Sequence, residues 1–111
     1  MNELPFFLLC EDPNDEEERL YITRTGNPYV LAEVFFFDVS DAQQLAMAQQ
    51  LKQKTTLGGS FETAEVYGIV QGHFYSFSDP VVDSKEVADR LATAMREICD
   101  YAEKCVHEGL V

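Results

Sequence analysis

The sequence predicts an α+β fold: an antiparallel or mixed sheet of three to five strands in the order β-β-β-α-β-β-α, with two helices packed on one face. Three observations carry this. Short apolar or alternating runs separated by turn residues fill positions 5–37. A capping signal at Ser40 opens a helix-period segment. A broad apolar stripe at helical spacing occupies the last third of the chain. At 111 residues the chain is read as one domain spanning 1–111, long enough to bury roughly 65% of its unfolded surface without staples.

Pro5-Phe6-Phe7-Leu8-Leu9-Cys10 reads as a first strand, apolar on both faces. Residues 11–18 follow as an acidic loop headed by the turn chemistry of Pro13-Asn14-Asp15. Arg19 to Thr25 alternates as a second strand, and Thr25-Gly26-Asn27-Pro28 turns the chain. Tyr29 to Phe37 is a third strand with Tyr29, Leu31, Phe35 and Phe37 on one side and Val30, Ala32, Val34 and Phe36 on the other. Ser40 with Gln43 forms a capping box for a helix that turns Ala42, Leu45, Ala48 and Leu51 inward. Lys52 and Lys54 suit its negative C-terminal end, and Thr55 to Ser60, with Gly58-Gly59, ends it.

Residues 61–77 admit two assignments. Thr63 to Val70 and His73 to Phe77 can pair as a hairpin about Gln71-Gly72, or Ser60 can open a short helix. The β-branched and aromatic content favours strands. Asp83, with Glu86 three later, then caps a long C-terminal helix whose apolar positions run Val87, Leu91, Ala94, Ile98, Tyr101 and Cys105. Ala88, Met95 and Ala102 form a second lane beside them, and Gly109 is the natural stop.

Charge narrows the partners. The chain holds 20 acids against 8 Lys plus Arg, a net charge of −12, and Glu3, Glu11, Asp12, Asp15, Glu16, Glu17 and Glu18 crowd its first 18 residues. That field repels nucleic-acid backbones and anionic membranes and attracts basic proteins or cations. Cys10, Cys99 and Cys105 are odd in number. The last two lie about 9 Å apart along one helix, too far for a disulfide. Free thiols in a reducing, cytoplasmic compartment are the expectation. The apolar run at Leu4 to Cys10 is short, follows Glu3 and lacks small residues at its end, so neither a secretory signal nor a lipid anchor is expected.

Catalytic signatures fail at named residues. Asp12, Asn14 and Glu16 mimic the start of a calcium loop, but Glu17 stands where the sharp turn needs Gly and Thr23 where a bidentate acid is needed. Leu57-Gly58-Gly59-Ser60 lacks the Gly-Lys-Ser/Thr of a phosphate cradle. Cys99, Glu103, Cys105 and His107 supply half a zinc site without its second pair. His73, among Tyr67, Tyr75 and Asp79, is the one general-base candidate.

The expected function is therefore a small acidic, non-catalytic protein-interaction module, homodimeric and without cofactor or metal. Its contacts are expected in the acidic loop (Asp12, Asp15, Glu16, Glu17, Glu18) and on the third strand (Phe35, Phe37). With both helices on one face, the other apolar face needs cover from residues 55–82 or from another chain. Two alternatives remain. One is an acidic inhibitor, immunity-type or nucleic-acid-mimic protein that binds a basic enzyme, with mimicry favoured if Glu33, Glu62, Glu65, Asp79 and Asp83 gather with the 11–18 loop on one face. The other is a ligand-binding domain or enzyme with a cleft near His73, Tyr67 and Tyr75.

Overall fold

The computed structural model describes residues 6–11, 14, 16 and 19–109. They form one five-stranded antiparallel sheet and two helices in the expected order: β1 (Phe7–Glu11), β2 (Leu20–Arg24), β3 (Tyr29–Asp38), α1 (Ala42–Lys54), β4 (Gly58–Glu62), β5 (Val66–Ser76) and α2 (Ser84–His107). Across the sheet the strands run β1-β2-β3-β5-β4. The meander β1-β2-β3 is as read from the sequence, whereas β5 inserts between β3 and β4 and pairs antiparallel with both.

Period-2 patterning divides the sheet into two faces. Leu9, Ile22 and Ala32 lie in register across β1, β2 and β3, and in the next row Val34 lies between Leu20 and Val70. These residues except Leu20, with Val30 and Phe61, meet Leu91, Ala94, Met95, Ile98, Cys99 and Ala102 of α2 in the main core. The stripe spacing places these side chains on one side of α2. Gly59 lies against that helix, because a Cβ there would come 2.7 Å from the Cys99 sulfur. The two glycines read as a helix stop are thus part of β4, where the absent side chain lets α2 approach.

Asp83 caps α2 by accepting from the Lys85 N–H at 2.9 Å. Beyond the C-cap Glu108, Gly109 takes φ 71°, the left-handed conformation that suits glycine after a helix. Buried Arg24 ties the end of β2 to α2. Its Nε donates to Glu97 Oε2 at 2.8 Å, its Nη1 donates to the Pro28 carbonyl at 2.6 Å, and it lies over the Phe6 ring at 4.6 Å.

The shared helix face expected from the sequence is corrected by the burial pattern. Ile69 and Ala48 are both fully buried, yet neither belongs to the α2 core. Ile69 points opposite to Val70, and α1 borders β5 and β3. Helix α1 therefore lies on the second face, over Phe35 and Ile69, which are register partners. The connection demands this: β3 and β4 are parallel, both antiparallel to β5, so α1 must cross over β5. It does so on the side that α2 leaves free.

Two local assignments also change. The N-cap of α1 is Asp41, whose carboxylate accepts from the N–H groups of Gln43 and Gln44 at 2.9 and 3.3 Å. Ser40 is unavailable as a cap because its hydroxyl donates to Asp38 at 2.7 Å. That bond holds the Asp38 carboxyl below its usual pKa. The β4–β5 turn falls at Thr63, not at Gln71-Gly72, and the Thr63 hydroxyl accepts from the Val66 N–H at 3.0 Å.

Candidate functional site

The second face is where sheet and cover are mismatched. Its rows follow from register: Leu8, Thr23 and Leu31 lie side by side, followed by Phe74, and the next row is Cys10, Tyr21, Glu33 and Gln71. The main contacts of helix α1 are with β3 and β5, and Thr23, in the first of these rows, is buried at 8%. Leu8, Tyr21 and Leu31 are half-buried, and Phe74 and Tyr29 are exposed at 55% and 36%. The Tyr29 and Phe74 rings meet edge to face, centroids 6.1 Å apart, as one aromatic surface.

A bulge sets the chemistry of this face. Leu31 pairs with Phe74 but Ala32 pairs with Gly72, so His73 is the extra residue of β5. The bulge turns the imidazole over the sheet, where Nε2 lies 2.8 Å from Glu33 Oε1. Glu33 is buried to 8% exposure while His73 stays open to solvent. Tyr21, the direct β2 partner of Glu33, has its ring centroid 6.4 Å from that of His73. The imidazole thus gives a carboxylate on an apolar face a partner, without which its burial would be costly.

The expected catalytic set does not assemble. Tyr75 packs its ring against Phe77, centroids 5.9 Å apart, opposite Val30 and so on the α2 side. Tyr67 sits six residues from His73 along β5, opposite Phe37. Asp79 is engaged elsewhere, by Arg90 at 3.1 and 3.2 Å and by the Asn27 amide at 2.6 Å. Those bonds hold its carboxyl down to about 2.

Of the expected contact residues, Phe35 and Phe37 are half-buried on the second face at its α1 end. Glu16 is exposed, and Asp12, Asp15, Glu17 and Glu18 lie outside the described residues. The remaining acids are spread around the fold. Glu33 is paired on the second face, while Asp79, in the β5–α2 connection, bonds Asn27 of the β2–β3 turn and Asp83 caps α2. Glu62 and Glu65 flank the β4–β5 turn, at the opposite lateral edge of the sheet from the β1–β2 loop. They do not gather as a mimic of phosphate spacing requires.

Cys99 and Cys105 are buried and Cys10 is exposed. Burial pushes the Cys99 thiol up to about 11, and His107 is exposed at the end of α2. Among the described residues no three His, Cys, Asp or Glu side chains group as metal ligands, and no helix is long and apolar enough to cross a membrane.

On the α2 side an open cleft of about 620 Å³ is lined by Phe6, Phe7, Glu97, Asp100, Tyr101 and Lys104. Phe7 stacks on Tyr101 at 4.8 Å within it, and Glu97 is already engaged by Arg24. No periodicity announces this cleft, because Pro5 to Cys10 is apolar on both faces. Comparison with protein-family models, with curated proteins and with solved structures finds no match for the chain.

Proposed function

We propose that this chain is a non-catalytic protein-interaction module that self-associates as a homodimer through the second sheet face. One observation carries the proposal: Leu8, Tyr21, Leu31, Tyr29 and Phe74 gather on that face, while the main contacts of α1 are with β3 and β5. Burying exposed apolar area contributes roughly 25 cal/mol per Å², and Tyr29 and Phe74 keep much of theirs in water. In the rows from Leu8 to Phe74 and from Cys10 to Gln71, Glu33 is the one acid, and its carboxylate is buried against the His73 ring. A second copy can therefore approach without setting bare carboxylates against each other, which would cost binding free energy. The three free thiols fit a reducing compartment.

Light scattering coupled to size exclusion tests this. At micromolar concentration the expected mass is twice the 12.6 kDa of the chain. Phe74→Glu, which places a charge on the open aromatic surface, is expected to return the single-chain mass with unchanged circular dichroism. A wild-type molecule of single-chain mass at all concentrations would end the proposal.

A further inference from the structure

We infer that the second copy docks through α1, each α1 lying on the open strands β1–β2–β3 of the other molecule about a two-fold axis. The inference rests on the self-association proposed above and names the elements that meet. In a chain of 20 acids, α1 has none across residues 42–54, and its charges are Lys52 and Lys54 in the last turn. The solvent side of α1 is instead Ala42, Gln43, Ala46, Met47, Gln49 and Gln50, all exposed, with Met47 at 59%. A solvated helix carries charge on that side, as α2 does with Glu86, Asp89, Arg96, Asp100 and Lys104. An outer face without acids on a molecule of net charge −12 suits contact with another copy, where acids would repel. A basic partner would be drawn to acids, and this surface offers it none.

The shape agrees. A helix is about 10–12 Å across, so α1 leaves a step of that height beside the uncovered strands, and a second α1 is the element that fills it. Crossovers between parallel strands are right-handed in nearly all cases, which turns the Gln43, Met47 and Gln50 flank of α1 toward the open strands. Under a two-fold axis both helices then lie side by side between the two sheets. Each covers β3 and β5 of its own chain and β1 and β2 of its partner. Met47, unbranched and adaptable, meets Leu8, Leu31 and the Tyr29–Phe74 rings.

The test is sedimentation equilibrium on the full chain and four variants, Phe74→Glu among them. Met47→Glu and Gln50→Glu place acids on exposed α1 positions that tolerate them as helix formers, and unchanged circular dichroism and melting temperature establish that they fold. Each is expected to weaken the dimer at least tenfold, while Met47→Leu keeps it. If the wild type dimerises and Phe74→Glu disrupts it but both α1 variants dimerise normally, this inference fails and the self-association proposal stands. A monomeric wild type would remove both.

Discussion

Along α2, seven side chains are buried: Leu91, Ala94, Met95, Ile98, Cys99, Ala102 and Cys105. Along α1 the one buried side chain is Ala48. The two helices flank the same sheet, yet one is anchored by a wide apolar stripe and the other touches with a methyl group and half-buried leucines. The difference lies on the outer surfaces too. Acids and bases are mixed along the solvent side of α2, as befits a helix in contact with water, and the solvent side of α1 is Ala, Gln and Met until Lys52 and Lys54 in its last turn. Weak anchoring below and a surface without acids above mark α1, with the strands beside it, as the part of the molecule suited to contact.

The sharpest break between the faces is in stability. Ile98→Ala empties a fully buried site between α2 and the sheet and is expected to cost about 2–5 kcal/mol, read from the urea midpoint at low protein concentration. Gly68→Ala is next. Its Cβ would meet the Phe61 ring, which packs over that glycine in the same core, and overpacking of this kind costs roughly 1–3 kcal/mol. Met47→Ala on α1 belongs at the other extreme, within about 0.5 kcal/mol of wild type for the monomer. A large loss there would mean that α1 is anchored as firmly as α2, and the comparison would collapse.

The tie at the start of α2 gives a smaller, pH-dependent effect. Asp79 is held at about 2, from an ordinary 3.8, by bonds from Arg90 and Asn27. A depressed carboxyl stabilises the fold fully above its unfolded pKa, and that contribution is lost as pH falls through the folded one. The wild-type melting temperature is thus expected to fall between pH 4 and 2 more steeply than that of Asp79→Asn. Equal slopes would show that the bonds do not hold in solution. Thiol accessibility refines the picture at least energetic cost. At a dilution where the chain is monomeric, an alkylating reagent should modify Cys10 and spare Cys99 and Cys105, which lie buried in α2. Rapid modification of Cys99 would mean that α2 lifts from the sheet.

How much of this could be read from the residues alone follows the same division. The α2 stripe was legible because its spacing repeats for more than five turns, and Leu91, Ala94, Ile98 and Cys105 are buried as spaced, although Ala88 in the second lane is exposed. Helix α1 was legible as a helix but not as to side, because a sequence of Ala and Gln has too shallow an apolar stripe to declare a face. Gly58-Gly59 and Gln71-Gly72 were read as punctuation, and both lie inside strands. Pairing of β5 with ten residues of β3 overrides the local preference of glycine, and Thr63, whose hydroxyl makes the real turn, was the signal overlooked. The Glu33–His73 pair was out of reach, since its members are brought together by a bulge that no period reveals.

The most direct measurement uses the methionines that the two faces hold apart. Met95 is buried beneath α2 and Met47 stands on the outer side of α1. With methionine methyls isotopically labelled, dilution through the micromolar range is expected to move the Met47 resonance and leave that of Met95 in place. A Met47 signal that stays fixed while the molecule keeps the mass of one chain would contradict the account.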